Sequence, residues 1–350
     1  MTNPAIRAFR PDDAPAALEL WKGSLGERYL LRPDVLELSV VTNPHARPGD
    51  AAVAQADGRL IGFAFAGISR SEAPELAAER GQAWLQAVVV APSWRRRGVG
   101  RALVRAVAPI GRETAADRLT AGGGLFYLWP GVPEDLPAAA PFLEGLGFRF
   151  EPGPSYDLRG DVSTMPPLEV EGARAVLAAA GLALAPARDT DRDPMLRFLL
   201  AEFGGAWWHD VGWFLEAGGE PGDVLLLRTG EGASDGAGEG SIRGFARIHT
   251  PASRPPGWPM YWRADSPTAG GLGPIGIAAA LRGRGLGRAL LVLALDRLGR
   301  LGHPDVVIDD TTLLGYYGPH GFAPWITYRH ATAPLGSILA GADAPSLEDR

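Results

Sequence analysis

The sequence of 350 residues contains no cysteine. This absence excludes disulfide bridges, thiolate metal ligands and a cysteine nucleophile. It is also typical of proteins that work in a reducing compartment. The first residues, 2–13, show no apolar run behind a basic start, so no targeting signal is predicted and we expect a cytoplasmic protein.

Lysine is almost as scarce, because Lys22 is the single lysine among the 34 basic side chains. No Gly-Lys-Ser or Gly-Lys-Thr occurs, which excludes a Walker phosphate loop. Long apolar runs are missing too: the longest charge-free apolar stretch is 175–187, and Gly181 and Pro186 interrupt it. A helix that spans a bilayer needs about 20 apolar residues, so no membrane segment is expected.

What the chain does contain is the composition of a folded globular protein, with 46% apolar and 21% charged residues. At about 100–200 residues per domain, its length predicts two domains. The formal net charge of −6 argues against a nucleic-acid partner, because such proteins usually present a basic surface.

An internal repeat supports two domains. Residues 85–103 align without a gap on residues 272–290, and both segments end in Arg-x-x-Gly-x-Gly-Arg-Ala-Leu. A later pair also matches, Gly147-Phe148 with Gly321-Phe322. The repeat predicts an N-terminal domain at 1–165, a linker at 166–181 and a C-terminal domain at 182–350.

Each copy has the same predicted elements around this repeat. An apolar strand, 84–90 or 274–278, leads into the glycine-containing loop, and an amphipathic helix follows. An apolar run at 125–129 predicts the next strand of the first copy. In the second copy, a glycine-rich stretch at 229–241 is predicted to be a flexible insertion within a hairpin.

The strand–loop–helix arrangement suits an anionic ligand. Glycines let the backbone turn tightly and approach a ligand, and the free N–H groups at a helix start bind phosphate. The dinucleotide fingerprint Gly-x-Gly-x-x-Gly is not satisfied, because Leu103 and Leu290 stand at its third glycine. Each loop is therefore predicted to bind a pyrophosphate; the alternative is that its glycines only turn the chain.

The string Val-Val-x-Pro-x-x-Arg-Arg-x-Gly-Val-Gly-x-Ala-Leu, with a later Gly-Phe, resembles the acetyl-CoA-binding signature of the GNAT N-acetyltransferases. The resemblance covers nearly the whole chain, as two tandem units. It implies an α/β fold of the α+β mixed-sheet kind, in which each domain is a twisted mixed sheet flanked by helices. It also implies acetyl-CoA as co-substrate and no metal.

The resemblance further implies roles for individual residues. The fourth strand of each unit would hold the pantetheine arm and the thioester carbonyl through the backbone of Val88 and Val90, or of Ile275 and Ile277. The two loops would hold the pyrophosphate, and their residues are Arg95, Arg96, Arg97, Gly98 and Gly100 in the first copy and Arg282, Gly283, Arg284, Gly285 and Gly287 in the second.

A tyrosine four residues before the glycine of Gly-Phe often protonates the departing CoA thiolate in this family. Tyr317 stands at this position in the second copy, whereas Leu143 stands there in the first. We therefore expect the C-terminal domain to be catalytic. The N-terminal domain either binds CoA without turnover or only shapes the acceptor cleft. The alternative for Tyr317 is a core aromatic beside Tyr316.

Direct attack of an amine on the thioester is the expected mechanism, because no cysteine is present to carry the acyl group. The Ile277 N–H is the candidate donor to the carbonyl. Asp309 and Asp310 end a predicted strand, and either could take the amine proton or cap the following helix. His249, at another strand end, is a comparable candidate base because histidine titrates near neutrality. A base acting through water is equally open.

The densest aromatic cluster, Trp207-Trp208-His209 with Trp213, falls where GNAT acceptor sites are commonly built. It either provides a platform for a flat acceptor such as a sugar or packs into the core. Glu202 and Asp210 nearby could bind an amine or be solvated.

Further segments, 273–277 and 308–313, resemble the two-domain bacterial glucosamine N-acetyltransferases, although Asp310 stands where their pattern has an aromatic. The mycothiol synthases are a rival resemblance. A CoA-binding sensor without turnover is an alternative from another class, and a metalloenzyme is disfavoured by the lack of a helical histidine pair. The expected partner is a small-molecule amine, with no nucleic acid and no membrane, for a monomer or homodimer.

Overall fold

A computed structural model of the chain describes residues 4–230, 240–263 and 266–340. Most of the insertion predicted at 229–241 therefore lies outside the described residues. Across the described ranges, no helix is both long enough and apolar enough to cross a membrane.

The described residues form a series of strands and helices. The strands are β1 (Ala5–Ala8), β2 (Ala51–Ala56), β3 (Arg59–Ile68), β4 (Ala83–Val90), β5 (Arg118–Ala121), β6 (Val132–Pro133), β7 (Arg149–Phe150), β8 (Ser155–Asp161), β9 (Leu182–Pro186), β10 (Val224–Thr229), β11 (Ile242–His249), β12 (Ala269–Ile277), β13 (Asp305–Thr311), β14 (Ala323–Arg329) and β15 (Ala331–Pro334). The helices are α1 (Ala14–Leu25), α2 (Pro33–Glu37), α3 (Val99–Val107), α4 (Ala139–Glu144), α5 (Pro167–Ala179), α6 (Arg192–Phe203), α7 (Gly205–Glu216), α8 (Leu286–Arg300), α9 (Leu314–Tyr317) and α10 (Leu335–Leu339).

The chain divides into two compact units whose limits differ from those expected from the sequence. Unit 1 comprises the described residues up to Ser155 together with those from Ile326 onward, and unit 2 comprises Tyr156–Trp325. The stretch expected to be a linker, 166–181, contains α5. Because proline is tolerated in the first helical turn, Pro167 begins this helix instead of marking a break. One face of α5 buries Val170, Ala173 and Leu177.

The sheet of unit 1 has the strand order β1-β2-β3-β4-β5-β15-β7. β4 and β5 run parallel, whereas β1 to β4 are joined by antiparallel pairs. β15 lies between β5 and β7 and is antiparallel to both. A strand from the second copy of the sequence therefore belongs to the sheet of unit 1.

The sheet of unit 2 contains the order β8-β13-β12-β11-β10-β9. β12 and β13 are parallel, and the other neighbours in this order are antiparallel. β8 follows the first copy in the sequence but belongs to this second sheet. The repeat in the sequence and the units in the structure thus differ by an exchanged strand at each end.

Helices cover both faces of the sheet in unit 2. Leu225 and Leu227 of β10 belong to the apolar cluster that contains α5 and α8, whereas Val224 and Leu226 pack with residues of α6 and α7. Successive strand residues point to opposite faces, so this unbroken apolar run is buried on both sides. The unit is a mixed sheet between two layers of helices.

The prediction of a strand at 125–129 is wrong, because β5 lies earlier in the chain. The glycines at 122–124 follow β5 directly and adopt left-handed φ angles of 77°, 76° and 83°. The apolar side chains beyond them are buried by tertiary packing instead of by sheet pairing: the Trp129 ring stacks on Trp21 with centroids 5.3 Å apart. The apolar run at 125–129 thus indicates buried side chains and not a strand. The left-handed glycines before it turn the chain out of the sheet, so the run forms a loop.

Two exposed glycines of unit 2 form a matched pair for testing backbone conformation. A methyl group at Gly172 or at Gly302 would meet no atom within 4 Å, but only Gly302 has a left-handed φ, at 88°. We expect Gly172→Ala to raise the free energy of unfolding by about 0.5–1 kcal/mol, because it stabilises a helix interior. Gly302→Ala should lower it by about 1 kcal/mol. Urea unfolding monitored by circular dichroism measures both, and equal shifts for the two variants would contradict the assignment.

Candidate active site

The main feature of unit 2 is an opening between two parallel strands. β12 and β13 pair from Ala269·Asp305 to Gly271·Val307 and then separate. Beyond this point β12 stays paired with β11, and β13 stays paired with β8. The carboxyl ends of the two strands therefore diverge and leave a cleft, which we call the β12–β13 opening.

A bulge in β12 marks the point where the strands separate. The register between β11 and β12 shifts between Ala246 and Ile248, so that Gly273 and Pro274 together stand opposite a single residue, Arg247. Unit 1 has a bulge at the equivalent place, because the register between β3 and β4 shifts between Phe65 and Ala66.

The parallel pairing of β4 with β5 also ends next to the bulge of unit 1, at Leu85·Ala121. In the gapless repeat, Gln86 corresponds to Gly273. The repeat in the sequence thus contains the bulged residue, Gln86 or Gly273, in both units.

The backbone of Ile277 faces the β12–β13 opening. The Ala278 N–H donates to the carbonyl of Arg243 at 2.8 Å, which makes Ile277·Gly244 a non-hydrogen-bonded pair of the antiparallel ladder. The N–H and C=O groups of Ile277 then point away from β11, toward the edge that β13 has left. Ile275, two residues earlier, has the same orientation.

The same relation holds in unit 1, where the Ala91 N–H donates to the Ile61 carbonyl at 2.9 Å. Val90 and Val88 then present their backbone groups at the free edge of β4. The strand residues expected to hold the pantetheine arm therefore all face an opening in their own unit.

The glycine-containing loops have the same backbone shape in both units. Gly283 and Gly285 adopt φ angles of 75° and 76°, and their counterparts Arg96 and Gly98 adopt 62° and 85°. Two left-handed residues two positions apart turn the chain sharply into the helix that follows. An arginine at the first of these positions shows that the loop geometry is kept even where glycine is absent.

The loop of unit 2 precedes a helix that can serve as an anion site. α8 is 15 residues long, and the N–H groups of its first turn have no partner within the helix. Arg282 and Arg284 are exposed beside it. In unit 1, Arg95 donates instead to the carbonyls of Val90 and Ser24, each at 3.1 Å.

The remaining arginine of the first loop, Arg97, lies over the Trp94 ring at 5.2 Å. Gly100 and Gly287, the second residues of α3 and α8, each lie against an aromatic side chain. A methyl group at Gly100 would lie 3.0 Å from Phe142, and one at Gly287 would lie 3.5 Å from the Tyr316 hydroxyl.

Tyr317 is buried on α9 and belongs to the apolar cluster that contains α5 and α8. Its ring meets those of Tyr316 and Phe322 with centroids 4.8 and 6.4 Å away. Burial, with smaller contributions from Tyr316 and Asp309, raises the pKa of Tyr317 above its ordinary value. Burial likewise raises the pKa of Tyr316 to about 12. Both phenols are therefore protonated at neutral pH, and Leu143 fills the position of Tyr317 in unit 1 as a buried apolar residue.

The two adjacent carboxylates expected at the end of β13 occupy a bulge. The register with β8 shifts between Ile308 and Thr311, and Asp310 adopts a left-handed φ of 38°. The backbone N–H of Asp310 donates to the Asp157 carboxylate at 3.1 Å. The Thr311 hydroxyl accepts from the Leu313 N–H at 3.1 Å, so the turn that follows is capped by the threonine.

Asp309 lies at the β12–β13 opening, where a methyl group at Gly273 would come within 2.9 Å of its Oδ1 atom. Its side chain is half-buried, and it acts on the pKa of Tyr317. One carboxylate of the predicted set therefore lies where the two strands separate, and its charge contributes to the raised pKa of the Tyr317 phenol.

His249 lies in a different environment from the one a general base requires. It is 1% exposed, and its Nε2 lies 2.6 Å from the carbonyl oxygen of Gly273. A carbonyl oxygen only accepts, so Nε2 carries the proton. Burial, with a smaller contribution from Arg247, lowers the pKa of His249 to about 3. The ring is thus a neutral donor to the β12 backbone, which argues against the expected role as a base.

The aromatic cluster forms a wall beside β12. Trp207 of α7 packs on Phe203 and Phe245 with ring centroids 4.8 and 5.6 Å away. A methyl group at Gly276 would lie 2.5 Å from the Phe203 ring and 3.3 Å from Trp207, so the absence of a side chain lets these rings approach the strand. Sequence reasoning missed Phe203, because nothing in its spacing separates it from the other apolar residues of α6.

Two acidic residues considered as amine ligands have structural partners instead. The Glu202 carboxylate accepts from the Ala279 N–H at 2.8 Å, just after β12. Asp210 is paired with Arg247 at 2.9 Å, and burial raises its pKa in spite of this partner. No group of three or more acidic or histidine side chains suited to a metal ion occurs in ranges 4–230, 240–263 and 266–340.

Comparisons with known proteins agree with this geometry. The family model described as "Acetyltransferase (GNAT) family" matches residues 16–148. The mycothiol acetyltransferase of Nocardia farcinica is 30% identical over 294 residues, which cover 79% of this chain and 81% of that protein. The chain belongs to the GNAT acetyltransferase family. It is accordingly an N-acetyltransferase, and enzymes of this family use acetyl-CoA.

Solved structures show the same fold. A GCN5-related glucosamine N-acetyltransferase region of a fungal multi-domain GH3 beta-N-acetylglucosaminidase superposes with a TM-score of 0.81 at 22% identity, over 95% of this GNAT chain. This chain spans only 38% of that longer protein. A tandem GNAT protein from the clavulanic acid biosynthesis pathway has a TM-score of 0.61 at 18% identity and covers 95% of this chain and 99% of its own. The likeness confirms the tandem GNAT fold expected from the repeat.

Proposed function

We propose that unit 2 transfers the acetyl group of acetyl-CoA to a primary amine of a small molecule by direct attack. The observation that carries this proposal is the β12–β13 opening. The Ile277 backbone faces this opening, the Asp309 carboxylate lies beside Gly273 where the strands separate, and Asp309 contributes to the raised pKa of the protonated Tyr317 phenol. A donor to the carbonyl, a base and an acid are the three groups that direct aminolysis of a thioester needs.

Acetyl-CoA would bind along β12 and at the loop that follows. The free edge at Ile275 and Ile277 offers backbone hydrogen bonds to the amide-rich pantetheine arm. The pyrophosphate would lie at the start of α8, held by the backbone of 283–287 and by the charges of Arg282 and Arg284.

Proton transfer would involve the two side chains at the opening. Asp309 takes the proton of the attacking ammonium, and Tyr317 gives its proton to the thiolate that leaves. The raised pKa of Tyr317 suits this role, because the group that must donate stays protonated at neutral and mildly alkaline pH. His249 is left out of the proton transfer, since it is neutral, buried and already donating to Gly273.

Unit 1 would bind CoA without catalysing transfer. It keeps the strand edge at Val88 and Val90, where the Val90 carbonyl accepts from Arg95, and the loop built from Arg95, Arg96, Arg97, Gly98 and Gly100. The acid is missing, because Leu143 replaces the tyrosine. In addition, the amide of Gln86 donates to the Gly123 carbonyl at 2.8 Å, from the bulge of β4 to the loop after β5. This bond crosses the opening of unit 1, where unit 2 has only Gly273.

An amino sugar is the acceptor class that we propose first. The glucosamine in the description of the fungal structural neighbour supports it, as does the aromatic wall beside β12, because sugars stack on such rings. The second candidate is a mycothiol acetyltransferase, favoured by the names of both curated relatives. A CoA-binding sensor without turnover is the alternative outside catalysis.

A panel of amines separates these functions. The purified chain is incubated with acetyl-CoA and glucosamine, deacetylated mycothiol, polyamines, aminoglycosides or peptide amines. Because the chain has no cysteine, a thiol reagent measures released CoA without a protein background, and mass spectrometry follows the thiol-bearing acceptor. We expect release above hydrolysis with an amino sugar. Turnover with deacetylated mycothiol alone would select the second candidate, and CoA binding without any turnover would select the sensor.

Tyr317→Phe should lower kcat by about a hundredfold while the KM for acetyl-CoA changes little, because only the proton of the phenol is lost. Tyr316→Phe is the matched comparison, since Phe142 already fills that place in unit 1. The kcat of Tyr316→Phe should fall much less than that of Tyr317→Phe. Wild-type activity should not fall near pH 10 through ionisation of Tyr317, because its pKa is raised. Steady-state kinetics between pH 7 and 10.5 test both points, and a larger loss in Tyr316→Phe would assign the acid to the other tyrosine.

Asp309→Asn should reduce kcat/KM by about a hundredfold, because an amide cannot take the proton of the ammonium. Asp310→Asn offers a close control: it removes the neighbouring charge, and asparagine tolerates the left-handed conformation at this position. Its activity should stay near that of the wild type. Equal activity in the two variants would leave the base to water or to another group.

A further inference from the structure

The bulge of β12 depends on a side chain that the proton transfers do not use. At this bulge the ladder between β11 and β12 is interrupted, so the Gly273 carbonyl is left outside the regular pairing. The His249 Nε2–H donates to this oxygen at 2.6 Å. A buried carbonyl without a donor is costly, so this hydrogen bond stabilises the bulge in its present shape.

The His249 ring is held firmly in the orientation that makes this bond. It is 1% exposed, and Gly257 packs so closely that a methyl group there would lie 2.1 Å from the ring. Arg247, the residue of β11 that stands opposite the bulge, is anchored as well. It pairs with Asp210 and lies 3.9 Å over the Phe214 ring. Arg247 and His249 lie two positions apart and point to the same face of the sheet, so the β11 side of the bulge is fixed on that face.

Comparison of the two units shows what is particular to His249. By register and by the gapless repeat, Gly67 corresponds to His249 and Gln86 corresponds to Gly273. In unit 1 the polar side chain comes from the bulge itself and its bond crosses the opening to Gly123. In unit 2 the side chain is His249 of the neighbouring strand β11, and it donates to the backbone carbonyl of the bulge.

The two units therefore differ in the side chain at the bulge, which is Gln86 in unit 1 and absent at Gly273 in unit 2. Gly273 has no side chain, and the carboxylate of Asp309 lies close to where one would begin. The bulge also sets the direction of the strand that follows, which carries the backbone groups of Ile275 and Ile277.

We propose that His249 is a positioning residue for acetyl transfer: its bond to the Gly273 carbonyl holds the bulge that aims the Ile277 N–H at the thioester. The proposal rests on the function proposed above for unit 2. It assigns His249 no contact with either substrate.

The test compares two polar replacements that differ in reach. His249→Gln can place an amide N–H where Nε2 lies, whereas the shorter side chain of His249→Asn ends near the position of Nδ1 and cannot reach Gly273. We expect His249→Asn to lower kcat by about tenfold to a hundredfold with the KM for acetyl-CoA within about twofold, because the loop at α8 is unchanged. His249→Gln should recover most of the rate, with the pH profile of the wild type. His303→Gln, a control at the other end of β12, should change neither constant.

A second readout does not need an acceptor. The amide cross-peak of Ile277 in ¹⁵N-labelled full-length protein should shift when acetyl-CoA is added to the wild type and to His249→Gln, and should shift much less in His249→Asn. Wild-type kinetics in His249→Asn, or an equal shift in all three proteins, would overturn the proposal. A lower kcat in both variants, together with loss of the acidic limb of the pH profile, would indicate that His249 is a base. That result would also overturn the proposal. Absence of the shift in the wild type would instead count against the proposed acetyl-CoA site.

Discussion

The separation of β12 from β13 after Gly271·Val307 is the constraint on which the candidate site depends. Two parallel strands that stayed paired would satisfy each other's backbone groups and leave no edge for a ligand. Once they diverge, the strand that remains bonded to β11 presents the N–H and C=O groups of every second residue to the gap. The bulge at Gly273 coincides with this divergence, and the Asp309 carboxylate lies beside it.

The two units show how one backbone can support different chemistry. Both have the bulge, the free strand edge and the loop with two left-handed residues. They differ in a few side chains around the opening, where unit 1 has Gln86 and Leu143 and unit 2 has Gly273 and Tyr317. A hydrogen bond across the gap and a missing hydroxyl are local changes that leave the sheet intact. The GNAT family model matches residues 16–148, which lie in the unit that lacks the tyrosine.

The local sequence pattern predicted the structure best within the repeat, residues 85–103 and 272–290. The spacing of glycines and arginines after an apolar strand depends only on neighbours in sequence, and both loops have the shape it implies. The predicted limits of the two domains depended on contacts between distant residues, and the structure differs from them. The exchanged strands β8 and β15 pair with residues more than a hundred positions away, which no local pattern contains. The linker expected at 166–181 became a helix because its apolar face packs with α8.

The sequence by itself determined the family, the duplicated fold, the two loops and the one tyrosine that distinguishes the copies, because each depends on residue type and local spacing. The tertiary structure alone decided the roles of the polar residues. His249, Glu202 and Asp210 all qualified as functional groups by chemistry, yet burial and bonds to Gly273, Ala279 and Arg247 give them structural partners. The reason is physical: the pKa and the hydrogen-bonding partner of a side chain are set by what packs around it, and the sequence order does not record that environment.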